Sequence, residues 1–190
     1  MGTKGWMALL LCLTAVACCS CESDQVSGRA ADSGLYTRYN LHYISEGGVN
    51  KASYANWTEW PGHALLPYNS KIQATSTGSR IYIVAPDTGM RITFEFHPGR
   101  MAMSAADYIA LITSPTPVTY DGLSDVDRQG IAAGKALVGM SKQGVMVALG
   151  YPAKHRTASL EEKRWIYWKG RHDTYAVEFD DSGKVVSIVD

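Results

Sequence analysis

Beyond Cys21 the chain has no cysteine. All four, Cys12, Cys18, Cys19 and Cys21, lie in or beside the N-terminal segment, so the body must fold on an ordinary core rather than on disulfide staples. Neither sign of charge is in excess: 18 basic residues face 18 acidic ones, and loss of Lys4 with the leader leaves about −1. No nucleic-acid partner is expected, since that would call for a basic patch. No apolar run is long enough to cross a bilayer, which takes roughly 20 residues. Chemical motifs are missing too. There is no G-x-S-x-G, and the remaining histidines, His42, His63, His97, His155 and His172, form no H-x-x-x-H, so no catalytic residue, metal site or cofactor is expected. Asp121, Asp125 and Asp127 lack the spacing of a calcium loop, and helix capping explains them better.

What is present begins at the N-terminus. Lys4, the uncharged run from Gly5 to Ala17 and the small residues before a cysteine have the order of a secretion signal, residues 1–17. Ala15-Val16-Ala17-Cys18 resembles the lipobox of bacterial lipoproteins, with Ala15 where leucine is usual. The resemblance implies that Cys18 is acylated, with palmitate or a similar chain, and that membrane lipid holds the protein through it. Several acyl chains anchor stably where one does not. The same tripeptide fits an A-x-A cleavage site that would release a soluble protein. Residues 18–33 are small and polar and read as a lipidated flexible tether. Cys19 and Cys21 within it are open to either lipid attachment or disulfide pairing.

Residues 34–114 read as an antiparallel β domain with a short helix. Leu35 to Ile44, Ser70 to Thr75, Arg80 to Ala85 and Met90 to Phe96 are the expected strands, separated at Gly47-Gly48, Pro61-Gly62, Thr77-Gly78-Ser79 and Pro86-Asp87-Thr88-Gly89. Leu65 to Ile72 resembles the entry to a strand in bacterial Src-homology-3-like barrels, which implies a small barrel. Ser104 caps a helix that ends before Pro115 and Pro117, and residues 115–122 form a linker. Two helices follow: residues 124–138, capped by Ser124 and ended by Gly139, and a second capped by Ser141 and stopped by Gly150 and Pro152. Gly130 and Gly134 cost the first about 1 kcal/mol each relative to Ala, and would let another element approach closely. Arg164 to Trp168, Thr174 to Phe179 and Lys184 to Val189 are the last strands, the latter two joined by the turn Asp180-Asp181-Ser182-Gly183.

Three pieces of this C-terminal stretch occur in a telling order: Val138-Gly139-Met140-Ser141-Lys142-Gln143-Gly144-Val145, Ala148-Leu149-Gly150-Tyr151-Pro152, and Trp165-Ile166-Tyr167 before Val177 to Val185. Together they resemble the SmpA/OmlA (BamE-like) family of outer-membrane lipoproteins over residues 123–190. The resemblance implies an αα-βββ module, two helices on a three-stranded antiparallel sheet, and a non-enzymatic role in assembly of the outer membrane. Two features depart from the family pattern. Gly144 stands where Glu or Gln would complete the cap, and a β domain precedes the module.

Aromatic residues are the remaining signal. Tyr54, Trp57 and Trp60 belong to a crowded stretch whose rings suit either a barrel core or a grip on sugar or peptide. In Trp165-Ile166-Tyr167-Trp168, strand alternation sends Trp165 and Tyr167 to one face and Ile166 and Trp168 to the other. Two helices cover only one face, leaving the other to the N-terminal domain or to a partner. Trp165, Trp168, Tyr167, Trp57, Trp60 and Tyr54 are therefore the interaction candidates. The expectation is an α+β lipoprotein on the periplasmic face of the outer membrane that binds an envelope protein as a scaffold or assembly accessory. Its alternative is a binding or inhibitory module for peptidoglycan or a periplasmic enzyme.

Overall fold

Local alternation builds most of the N-terminal half. In the computed structural model, which describes residues 1–2 and 34–190, seven strands come first: β1 (Leu35–Thr37), β2 (Leu41–Glu46), β3 (Val49–Ser53), β4 (His63–Leu66), β5 (Lys71–Thr77), β6 (Arg80–Ala85) and β7 (Met90–Glu95). The export signal beyond Gly2, Cys18 and the tether to residue 33 lie outside the described residues. On β6 and β7 the inward positions Ile81, Ile83, Ile92 and Phe94 are buried, while Arg80, Tyr82, Arg91 and Glu95 between them face out. Gly47 and Gly48 join β2 to β3 with φ of 57° and 78°, the two left-handed positions of a type I′ hairpin turn.

Two short helices then cross this core: α1 (Pro98–Met101) and α2 (Ala105–Ile112), the latter opened by a reciprocal cap between Ser104 and Asp107. Tyr108 of α2 packs between Phe94 and Phe96, with ring centroids 5.5 and 5.0 Å away. β8 (Thr113–Ser114) closes the order β4-β2-β3-β7-β6-β5-β1-β8. The sheet is mixed rather than wholly antiparallel, because β3 and β7 run parallel, with Asn50 to Ser53 beside Ile92 to Glu95.

The C-terminal half has α3 (Asp125–Ala133), α4 (Lys142–Leu149), β9 (Arg164–Trp168), β10 (Thr174–Phe179) and β11 (Val185–Val189). The strands form an antiparallel sheet in the order β11-β10-β9. Val145, Leu149, Trp165, Tyr167, Val177, Phe179 and Val185 make its core. α3 stops at Gly134, short of Gly139. Gly134 adopts φ of 62°, a left-handed position that favours glycine, and a Cβ there would press on the Leu65 side chain of the neighbouring β4 at 2.5 Å. Among the described residues no helix is long and apolar enough to cross a membrane.

The linker does not separate these halves. Residues 34–190 belong to one compact unit, and Val118 is pinned in both directions by the Asn69 side chain. The reason lies in helix ends. The last carbonyls of a helix have no partner within it, and Asn40 and His42 from the β half supply them: Asn40 Nδ2 donates to Ile131 O (2.7 Å) and Ala148 O (3.3 Å), Asn40 N to Val147 O (2.9 Å), and His42 Nε2 to Ala148 O (2.9 Å). α4 is accordingly buried from Gly144 to Leu149, lying between the two sheets' cores.

Candidate functional site

One carboxylate organises both C-terminal helices. Asp127 Oδ2 accepts from Ser124 N (2.9 Å) and Oγ (2.7 Å), while Oδ1 accepts from Ser141 N (2.7 Å) and Oγ (3.0 Å). A single buried aspartate thus caps α3 and α4 together. Burial pushes its pKa up, but the hydrogen bonds from Ser124 and Ser141 outweigh this and hold the carboxyl below its usual range. A Cβ on residue 144 would lie 2.1 Å from Asp127 Oδ1. This explains why glycine stands at the third position of α4: the carboxylate occupies the side chain's place. The group is structural and closed to ligands.

His42 and His63 form a second polar pair, with Nδ1 of His42 2.9 Å from Nε2 of His63. Because Ala148 O can only accept, His42 Nε2 carries the proton and its Nδ1 accepts from His63. Burial lowers the pKa of His42 to about 4, so the ring is neutral at pH 7. This pair also belongs to the joint between the halves. Among the described residues no group of three or more His, Cys, Asp or Glu is placed to hold a metal ion.

The six aromatic candidates divide. Trp165 and Tyr167 are each 1% exposed and lie in the C-terminal core, Trp165 against Phe179 and Tyr167 against Tyr175, where no partner can reach them. The indole N–H of Trp165 has no acceptor there among the described residues. Trp165 borders a pocket of about 350 Å³ with Tyr39, Tyr120 and Met146, but the pocket's one cation, Lys142, is spent on Leu160 O at 2.8 Å.

The other four converge. Residues 57–59 run alongside the end of β9: Trp57 and Trp168 form a parallel bridge, Thr58 N donates to Trp168 O and Glu59 N to Lys169 O, both at 3.0 Å. Residues 57–59 thus pair with the edge of β9, and the Trp168 side chain packs against the core of the N-terminal half. Trp60 leans on Trp57 at 6.5 Å and packs against Gly170, where a Cβ would meet its ring at 2.3 Å. Tyr54 is buried, with its hydroxyl accepting from the Arg100 guanidinium.

Around this cluster two depressions adjoin, sharing Trp57, Glu95 and Arg171. One, of about 460 Å³, reaches over β3 and β7 to Lys51 and Arg80. The other, of about 230 Å³, reaches past Trp168 to Arg100 and His172. The result is one open cleft in which Lys51, Arg80, Arg100 and Arg171 face a single carboxylate, Glu95. Among the described residues none of the four cations has an acidic partner within 4 Å. The indole faces are not free platforms. The Arg171 guanidinium sits over Trp57 at 5.5 Å, and His155 stacks on Trp168 at 5.6 Å.

The cations escaped the sequence reading because they stand alone on separate elements from residue 51 to residue 171, and only the fold gathers them. No pattern of spacing marks them. No family model, no curated protein and no solved structure matches the chain.

Proposed function

We propose that the chain is exported, anchored to membrane lipid through an acylated Cys18, and acts as a non-enzymatic protein-binding scaffold or assembly accessory on the periplasmic face of the outer membrane. One observation carries the binding reading: Trp57 and Trp168, with Trp60 beside Trp57, stand at an open cleft whose lining cations have no acidic partner within 4 Å among the described residues. Four cations around a single carboxylate give the cleft a local positive excess, which suits contact with an anionic surface. The order α3-α4-β9-β10-β11 is the one that the SmpA/OmlA resemblance implies, and the envelope role rests on that likeness. A Src-homology-3-like arrangement of the N-terminal strands belongs to the same proposal.

The peptidoglycan alternative is weaker on physical grounds. A sugar ring stacks on an open aromatic face, whereas Trp57, Trp60 and Trp168 each have a face taken by Arg171, Gly170 or His155. The test is photo-cross-linking in cells from position 60, with position 128 on α3 as the control. The expected result is one discrete adduct with an envelope protein from position 60 and none from 128. Failure to form any adduct, with sedimentation of the protein on peptidoglycan, would overturn the scaffold reading. The anchor is tested separately: Cys18→Ala should abolish palmitate labelling and release the protein from membranes.

A further inference from the structure

We propose that the cleft receives an extended acidic segment of the partner protein, its carboxylates engaged by Lys51, Arg80, Arg100 and Arg171 and its intervening apolar side chains resting on Val49. The inference rests on the binding-protein reading above and adds the partner's chemistry. Charge is the first ground. The whole chain is balanced, 18 against 18, yet the cleft sets four cations against one carboxylate. Outside it, among the described residues, Arg128, Lys163, Arg164 and Lys169 have acidic partners within 4 Å, while others such as Arg38, Lys71 and Arg91 stand without one but are not gathered in this cleft. Gathered around one carboxylate, the four cleft cations make a local positive excess that calls for an anionic occupant.

The kind of anion follows from the donors and from the floor. Three of the four cations are arginines, whose planar fork matches a carboxylate with two parallel N–H bonds. Arg171 is already oriented by lying over Trp57, so less freedom is lost when it engages. Between the cations the lining is apolar or weakly polar: Val49, half exposed at 49%, Ala52, Trp57 and Thr93. A chain that alternates acidic and apolar residues meets both features. A nucleic acid or a sugar acid would instead need the ring faces that Arg171 and His155 occupy.

The test uses the full chain, extracted with its anchor in detergent, titrated with a fluorescent synthetic peptide alternating glutamate and leucine and with its glutamine counterpart. The glutamate peptide should bind at least about tenfold more tightly, and its affinity should fall as salt is raised. Arg80→Ala and Arg171→Ala should each weaken it about threefold to tenfold, and Arg128→Ala, on α3, should leave it unchanged. Both cleft arginines are exposed, so their loss leaves the core intact, which circular dichroism verifies. Equal binding of the two peptides, indifference to Arg80→Ala and Arg171→Ala, or displacement of the peptide by solubilised peptidoglycan fragments would overturn the proposal. A cross-linked envelope partner at position 60 combined with equal binding of both peptides overturns the acidic-segment inference alone. Absence of both the partner and peptide binding overturns the binding-protein reading as well.

Discussion

Replacing Asp127 by alanine should destabilise the protein far more than a helix cap normally does. The carboxylate is 0% exposed and accepts four hydrogen bonds of 3.0 Å or less from Ser124 and Ser141, joining the N-termini of α3 and α4. Hydrogen bonds to a charged group contribute roughly 1.5–3 kcal/mol each, and desolvating the charge takes back several kcal/mol. In Asp127→Ala the two serine hydroxyls can turn elsewhere, but the N–H groups of Ser124 and Ser141 lose their acceptor. A net loss of about 3 kcal/mol follows. Asp107 is the internal control, because it makes the same reciprocal cap with Ser104 at the exposed start of α2. Asp107→Ala should cost only about 0.5–1 kcal/mol. Urea denaturation followed by circular dichroism at pH 7 measures both. The pH dependence adds a second readout. The Asp127 carboxyl is held below its usual range, so its contribution is full above the unfolded value of about 3.9 and is lost as pH falls through the folded value. The gap between wild type and Asp127→Asn should therefore narrow in acid. Equal costs for Asp127→Ala and Asp107→Ala, or a cost below about 1 kcal/mol at residue 127, would refute the idea of one buried carboxylate capping two helices.

Gly144→Ala should destabilise by about 2 kcal/mol or more despite alanine's better helix propensity, because its Cβ would lie 2.1 Å from Asp127 Oδ1. Asp127→Ala should relieve it only in part, since the Cβ of residue 127 is still 2.9 Å away; full rescue in the double variant, read by the same denaturation, counts against the packing described. Asn40→Ala removes the donor to Ile131 O and Ala148 O and the acceptor for Tyr68 N, and should cost about 3 kcal/mol with faster amide exchange in the last turn of α4. His42 titrates at about 4 instead of 6.5, so neutral His42 contributes fully above pH 6.5 and its share is lost between 6.5 and 4. That share is about 3 kcal/mol, and His42→Gln should flatten the stability profile in this window; an unchanged slope would contradict it.

Much of the fold was legible where the information is local. Arg80 to Ala85, Arg164 to Trp168 and Thr174 to Phe179 begin and end as alternation and turn residues indicate, and Ser104, Ser124 and Ser141 are N-caps. The misses have distant causes. Leu35 to Ile44 reads as one strand, but the chain breaks at residues 38–40 so that Asn40 can reach carbonyls about a hundred residues away. β3 and β4, Val-Asn-Lys-Ala-Ser and His-Ala-Leu-Leu, carry little β-branched content, and their pairing partners hold them extended. The parallel register of β3 with β7 has no signature in either segment. At the candidate site the aromatic content was visible, but its division was not. Alternation separated Trp165 from Trp168, yet only the packing tells which face becomes core and which one meets Trp57.

The joint and the cleft have a common origin. Asn40 and His42 draw the β half against the ends of α3 and α4, and the same apposition lays residues 57–59 along β9. Trp57 then reaches Trp168, and Arg171, carried on the turn after β9, is set over the indole beside Lys51 and Arg80 of the other half. Neither half alone holds more than part of the cation set: Lys51, Arg80 and Arg100 come from the first, Arg171 and the Trp168 wall from the second. A surface assembled across two halves is only as stable as the bonds between them. Polar bonds to helix ends are directional, and an apolar contact of equal area would let the halves slide by a residue or more. The buried Asn40 and His42 therefore determine the register of the halves, and through it the spacing of the cations that a partner would meet.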